Sequence, residues 1–292
     1  MYDVIIIGKG PAGLSSSIYT GRGNLKTLII GKDSEALEKA YISNFCCAEE
    51  QTGKELIHKG IKQALDVGVD IVEEEVLDIK KESEFVITTD TKEYKSKSVI
   101  IATGKPKIKI DIPGINKYEA KGVHYCVACD GFFYKDTKVG VIGYNDYAYH
   151  EILELESITK DITLFTNGKD IEMKKENLDE LKSKDININK KRIGVLEGND
   201  YLEKISFEDG SEEEIDGIFV AYGTASSVDF ARKLGITIDN QNILVDDNQQ
   251  TNIPGIFAAG DCTGGITQVA TAVGQGSTAG IRTKTYLQKL KK

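Results

Sequence analysis

Val4-Ile5-Ile6-Ile7 runs directly into Gly8-Lys9-Gly10-Pro11-Ala12-Gly13, and no other stretch narrows the possible folds as much. Four consecutive β-branched residues read as a strand buried on both faces, the kind found in parallel sheets. Leu14 to Tyr19 continue as a helix. A Gly-x-Gly-x-x-Gly between a strand and a helix sits where a dinucleotide fingerprint has to sit. Gly8 makes the tight turn, Gly10 lets a pyrophosphate touch backbone, and Gly13 lets the helix pack closely on the sheet. The helix N-terminus adds free N–H groups and partial positive charge. An acid for the ribose is expected about 20 residues further on. Asp33 has that spacing, although Gly31-Lys32-Asp33 is not a clean strand end.

The pattern continues as an α/β chain. Thr27–Ile30 and Val99–Ala102 read as further buried strands, with a meander over Phe85–Thr89 and Glu93-Tyr94 between them. Ile112-Pro113-Gly114 punctuates the chain as a hinge. A second unit then starts: strand Lys138–Gly143, helix Asp146–Ile158, strand Ile162–Phe165, charged helix Lys174–Lys184. A hairpin turns at Glu208-Asp209-Gly210, and Ile218–Ala221 is one more buried strand. Leu234–Asn240 reads as a return linker, and Ile256–Asp261 with a helix over about Gln268–Leu290 completes the first unit. The expected fold is therefore two nucleotide-binding-type, Rossmann-like, three-layer α/β domains, the second inserted into the first. Residues 1–114 and 241–292 form one domain and 115–240 the other. The acid runs Glu73–Glu75 and Glu212–Glu214 read as solvated faces.

Charge excludes two partner classes. A formal charge of −9 argues against a nucleic-acid binder, which needs a basic face, and against docking on an anionic membrane. No apolar run reaches about 18 residues. Met1–Ile7 lacks the basic n-region and cleavage site of a signal peptide. Five cysteines leave one over after any pairing and do not make a secreted disulfide framework. A cytoplasmic protein is expected.

Cys126-Val127-Ala128-Cys129 precedes Asp130-Gly131-Phe132-Phe133. In such a chain this spacing reads as a redox dithiol, with a thiolate stabilised where the loop opens a helix. A zinc site would need two more ligands. Adjacent Cys46 and Cys47 are poorly spaced to supply them, so no metal is expected. His58, His124 and His150 read as structural or exposed residues, and the free cysteines Cys46, Cys47 and Cys262 as buried small hydrophobes.

Gly8–Gly13, Ala102-Thr103-Gly104, Cys126–Phe133 and Thr251–Asp261 occur in the order seen in low-molecular-weight bacterial thioredoxin reductases, which the chain resembles over essentially its whole length. The resemblance implies a FAD domain built from both chain ends and an inserted dithiol domain. It implies that Gly8, Gly10, Pro11, Ala12, Gly13, Ala102, Thr103 and Gly104 cradle FAD. Gly260 and Asp261 then lie at the ribityl and pyrophosphate, Thr267, Gln268, Val269 and Ala270 at the flavin ring, and Asn44 near the cofactor. Cys46-Cys47 stand where the family tends to have Pro-Gly, so they too fall near FAD. Cys129 would face the flavin, Cys126 would attack thioredoxin, and Asp130 would handle the proton. A homodimer is also implied.

The second glycine motif departs from that family, which has Gly-x-Gly-x-x-Ala there. Here the stretch is Gly143-Tyr144-Asn145-Asp146-Tyr147-Ala148. Asn145 replaces the glycine that admits a pyrophosphate, and Tyr144, Tyr147 and Tyr149 add bulk that fills the vacated cleft or, for those on the helix, joins the core. The His-Arg-Arg cluster that holds a 2′-phosphate is replaced by Thr166-Asn167-Gly168-Lys169-Asp170, and one lysine is a poor substitute for arginine geometry. The chain thus resembles the ferredoxin-dependent flavin thioredoxin reductases, with reduced ferredoxin in place of NADPH. Plant-type ferredoxins lie near about −400 mV and thioredoxin near about −270 mV, about 6 kcal/mol downhill for two electrons. The alternatives are an NAD(P)H-dependent reductase with a degenerate site, and a FAD dithiol oxidase or redox sensor.

Overall fold

The computed structural model describes residues 1–32, 37, 40–104 and 110–290; Asp33 lies outside them. The chain divides into two compact units, Met1–Pro106 with Ser226–Lys292, and Lys107–Ala225.

The first unit opens with β1 (Val4–Ile7), α1 (Pro11–Arg22) and β2 (Thr27–Ile30). The short strands β3 (Tyr41–Ile42) and β4 (Gln51–Thr52) precede α2 (Gly53–Asp66). Thr52 and Glu55 close a reciprocal capping box at the start of α2, which satisfies two backbone donors the helix leaves unpaired. Then come β5 (Asp70–Val72), the meander β6 (Val76–Lys81), β7 (Phe85–Thr89) and β8 (Glu93–Ser96), and β9 (Val99–Ile101).

The second unit holds β10 (Val123–His124), the one-turn helix α3 (Val127–Asp130) and a 3₁₀ turn at Gly131–Tyr134. It continues through β11 (Val139–Ile142), α4 (Asp146–Leu155), β12 (Ile162–Phe165), α5 (Lys175–Ser183) and β13 (Asn187–Asn189). An antiparallel ribbon, β14 (Ile193–Glu197), β15 (Lys204–Phe207) and β16 (Glu212–Glu214), leads to β17 (Gly217–Val220). The chain then returns to the first unit as α6 (Ser227–Leu234), β18 (Ile238–Asp239), β19 (Asn242–Ile243), β20 (Ile256–Ala258) and α7 (Val269–Leu290).

Each unit is built on a five-stranded parallel sheet, in the order β20-β9-β1-β2-β5 and β10-β17-β11-β12-β13. Every residue of β1, β2, β9, β11, β12 and β17 is buried, so each strand contributes apolar area to both faces. Burying one such side chain is worth about 1.5–3 kcal/mol. In the first unit, α1 lies under α7 at very close range. A Cβ on Gly276 would come 2.2 Å from the Ala12 carbonyl oxygen, and one on Gly280 would come 2.5 Å from that of Ser16. Two glycines four residues apart give the helix a bare face that the neighbouring backbone fills.

Both seams fall earlier in the chain than 114/115 and 240/241. Ile112 and Ile115 are core residues of the second unit, and the Pro113 carbonyl accepts from Leu196 N–H at 2.9 Å. Ile112-Pro113-Gly114 is therefore packed structure and not a hinge. Leu234 ends α6, which packs on β6 and brings Lys233 Nζ to 3.5 Å from Asp78, and the whole of the expected return linker belongs to the first unit. The acid runs also do more than face solvent. Glu74 accepts from Thr89 and Tyr94 hydroxyls, Glu75 pairs with Lys32, and Glu212 pairs with Lys204. Among the described residues no helix is long and apolar enough to cross a membrane.

Candidate active site

Cys126 and Cys129 are joined in a disulfide at the carboxyl end of β10, with Cα atoms 5.3 Å apart. Cys126 is the N-cap of α3, and its sulfur accepts the Cys129 N–H at 3.1 Å. Cys126 is 1% exposed, whereas Cys129 is half-buried. Phe132 and Phe133, just beyond, are 64% and 67% exposed, with ring centroids 4.0 Å apart. Adjacent exposed aromatics have little to gain in a monomer and suit a partner surface.

Asp130 does not stand alone. Its carboxylate lies 3.0 Å from His124 Nδ1, and His124 Nε2 lies 2.7 Å from the Tyr134 hydroxyl. The rings of His124 and Tyr134 both pack on Phe219. A carboxylate only accepts hydrogen bonds, so His124 carries a proton on Nδ1, and the tautomer with that single proton accepts from the Tyr134 hydroxyl at Nε2. Burial, and then the charges of Asp130 and Asp216, push the Tyr134 phenol up to about 12, which keeps it a donor. His124 is thus buried and bonded on both ring nitrogens, the structural and not the exposed of the two expected outcomes. Its separation of one residue from the first cysteine was the available signal. Glu151 is a further site neighbour the sequence reading missed. It is buried on α4, with its carboxylate 3.4 Å from the Val127 N–H. The signal there was an acid on the same helical stripe as Tyr147 and Leu155.

In the first unit the expected cofactor residues converge at the carboxyl ends of β1, β9 and β20, three neighbouring strands. Gly8 has φ +113°, and a Cβ there would lie 2.2 Å from the Ala102 carbonyl oxygen. Gly13 closes in the same way on the Gly8 carbonyl, at 2.0 Å. Gly10 differs, because its Cβ position faces open space. Gly10 caps α1 without a side chain, Pro11 opens the helix, and no acid sits in its first turn. The Thr103 hydroxyl is buried without a hydrogen-bond partner among the described residues. Gly260 N–H donates to Gln275, and Asp261 starts a 3₁₀ turn. Asn44 donates to Gln268 at 2.8 Å, and Thr267, Gln268 and Ala270 are exposed where α7 begins, with Val269 half-buried.

The corresponding mouth of the second unit is filled. Asn145 donates across it to the Gly223 carbonyl. Tyr144 and Tyr222 meet edge-to-face at 5.0 Å. Asp146 occupies the first turn of α4 and accepts from Lys174 N–H and Asn177. Tyr147 and Tyr149 are buried, and Tyr149 reaches Glu180 on α5; they serve the core and only Tyr144 fills the cleft. One guanidinium stands nearby: Arg192 lies over Gly168, 4.0 Å from Glu208.

Two parallel nucleotide-type sheets with a Cys-x-x-Cys disulfide define a disulfide oxidoreductase. The family model described as pyridine nucleotide-disulphide oxidoreductase matches residues 2–276. The chain belongs to the thioredoxin reductase family. A thioredoxin reductase of Listeria monocytogenes is 31% identical over 100% of this chain and 95% of the relative. The solved structure of the atypical thioredoxin reductase TRi from Desulfovibrio vulgaris Hildenborough is 39% identical, with TM-score 0.95 over 99% of each chain. A ferredoxin-flavin thioredoxin reductase from Clostridium acetobutylicum is 28% identical, with TM-score 0.69 over 99% of this chain and 98% of that one. FAD is the cofactor of this family. The first unit fits it: an uncapped helix N-terminus, open space at Gly10 and an unpartnered buried hydroxyl at Thr103 are what a pyrophosphate-bearing ligand needs.

Proposed function

We propose that this thioredoxin reductase draws its electrons from reduced ferredoxin and not from NADPH. The observation that supports this most is the filled mouth of the second unit, where Asn145, Tyr144 and Asp146 stand in place of a pyrophosphate. An acid in the first turn of a helix opposes an incoming anion as directly as an uncapped turn attracts one. Gly8, Gly10, Pro11, Ala12, Gly13, Ala102, Thr103, Gly104, Gly260 and Asp261 would hold the FAD, with Asn44 and the Thr267–Ala270 segment at its ring. FAD, when bound, supplies a store that takes up electrons singly and gives them out in pairs.

Two ferredoxin electrons and two protons open the Cys126–Cys129 disulfide. The Cys126 thiolate attacks the thioredoxin disulfide, forming a mixed disulfide and releasing one thioredoxin sulfur. Cys129 then attacks the Cys126 sulfur, re-forming the internal disulfide and releasing the second. Asp130, oriented by His124, takes the proton that each attacking cysteine gives up and passes it to the thioredoxin sulfur released in that step. Cys126 is covered here, so its attack requires that it first be uncovered. Phe132 and Phe133 provide apolar contact for the thioredoxin beside it.

Arg192 favours a second reading, an NAD(P)H-dependent reductase, because a guanidinium at this edge could meet a phosphate. Anaerobic titration of the flavin absorbance decides between them. Reduced ferredoxin bleaches it and NADPH or NADH does not; rapid bleaching by NADPH overturns the proposal. A dithiol oxidase would consume oxygen with a small dithiol and ignore thioredoxin.

A further inference from the structure

Three cysteines lie outside the Cys126–Cys129 disulfide, and they differ sharply in surroundings. Cys262 is buried, its thiol donates to the Ala259 and Ile101 carbonyls, and burial pushes it up to about 12. It is placed to be inert. Cys46 and Cys47 are both exposed, so they fill no core. Their sulfurs lie 3.2 Å apart.

Side chains of adjacent residues point to opposite sides of an extended chain. Here the backbone prevents that. Cys47 has φ +67°, which turns its sulfur back toward that of Cys46, and the Ala48 N–H closes the turn on the Phe45 carbonyl at 3.2 Å. The turn is anchored as well, since Asn44 is bonded to Gln268.

We propose that Cys46 and Cys47 form a second thiol–disulfide centre, a vicinal dithiol that low-molecular-weight disulfides oxidise to a closed pair. One thiolate attacks the small disulfide, forming a mixed disulfide and releasing one small thiolate. The neighbouring thiolate then attacks the protein-side sulfur, releasing the second. Two electrons pass from the protein pair to the small disulfide, and the two protons end on the two released thiols. A disulfide is about 2.0 Å long, so closure asks for a shift of little more than an ångström from the observed separation. The product is strained, because consecutive Cα atoms sit about 3.8 Å apart, closer than the usual range of about 4.4–6.8 Å for bridged cysteines. Strained, exposed disulfides are easily reduced and are the labile ones, so this pair suits a reversible response and not a structural clamp. The centre is independent of which electron donor the enzyme uses.

The test uses wild-type holoenzyme with Cys126–Cys129 closed and oxidised glutathione as the probe. After an acid quench, free thiols are alkylated and the peptide carrying both residues is weighed. The alkylatable thiols at positions 46 and 47 fall from two to none, the peptide loses two hydrogens and gains no glutathione, and dithiothreitol restores both thiols. Cys46→Ser and Cys47→Ser each stop at a stable glutathione adduct on the remaining cysteine. The proposal is overturned if wild-type protein accumulates such an adduct, if both thiols stay alkylatable, or if the new bridge joins another cysteine or another chain.

Discussion

The two units start from the same plan and part company at the mouth of their first long helix. In each, a wholly buried four-residue strand, β1 or β11, runs into a glycine that no side chain could replace. Gly8 lies against Ala102, and Gly143 has the Ala221 carbonyl oxygen 2.4 Å from where its Cβ would be. Two residues later the first unit has Gly10 and open space, and the second has Asn145 bonded to Gly223. The first turn of α1 carries no acid, while that of α4 carries Asp146. The turn glycine at the strand end stands in both units, because neighbouring backbone lies too close there for a side chain. The glycine that leaves room for a pyrophosphate stands in the first unit and is replaced by Asn145 in the second.

On this view the second unit has kept its sheet and uses it to carry a dithiol. Cys126→Ser or Cys129→Ser is expected to lower thioredoxin-dependent turnover by about 10³-fold or more, with flavin content unchanged. Turnover that persists would take the second unit out of the chemistry. Exchanging the distinguishing residues comes next. Gly10→Val fills the open space at α1 and lowers FAD affinity by roughly 10–100-fold, the equivalent of the usual 1–3 kcal/mol for overpacking. Asn145→Gly leaves FAD untouched. The flavin-to-protein absorbance ratio after dialysis measures both, and equal loss in the two variants would mean that the mouths are not functionally distinct.

A gain of function probes the filled mouth directly. Tyr144→Gly, Asn145→Gly and Asp146→Asn together clear it, and saturable NADPH binding in the millimolar range is expected from the triple variant where wild type gives none. Micromolar binding by wild type in the same fluorescence titration would contradict the comparison. Within the dithiol unit, Asp130→Asn is expected to slow thioredoxin reduction by about 10²-fold. His124→Gln costs roughly tenfold and moves the pH profile, since it acts through Asp130. An unshifted profile would reduce His124 to packing.

The strand–glycine–helix junctions, the Cys-x-x-Cys block and the final helix were legible because each rests on a local rule. Continuous β-branched runs mark buried parallel strands, and turn glycines mark close backbone approach. The seams were not legible, because they depend on long-range packing. Pro113-Gly114 looks like punctuation, yet Ile112 and Ile115 anchor it in a core that includes Leu196 and Ile215, some 80 to 100 residues away. The partners of His124 were not legible either: Asp130 and Tyr134 are near in sequence but meet it only because α3 and the 3₁₀ turn fold back beside β10. Which of the tyrosines near α4 fill the cleft and which join the core was not legible, because bulk is visible in sequence but direction is not. Their neighbours on the helix stripe, Ile152 and Leu155, are core.

Tyr134 offers the finest test of how the dithiol unit is assembled. Its hydroxyl donates to His124, and burial with two nearby carboxylates raises its pKa to about 12, above the usual value near 10 of an unfolded chain. Between about pH 10 and 12 the unfolded state therefore gives up this proton while the folded state keeps it. The unfolded state then binds fewer protons, so stability falls as pH rises through that window. Below about pH 10 both states hold the proton and the residue adds no pH dependence. Tyr134→Phe removes this contribution, so the decline in urea midpoint from pH 10 to 12 becomes shallower than in wild type. Turnover at neutral pH falls only a few-fold, less than for His124→Gln, because the imidazole keeps its bond to Asp130. Parallel declines in the two proteins would show that the phenol is not held by this network, and the tautomer assigned to His124 would lose its support.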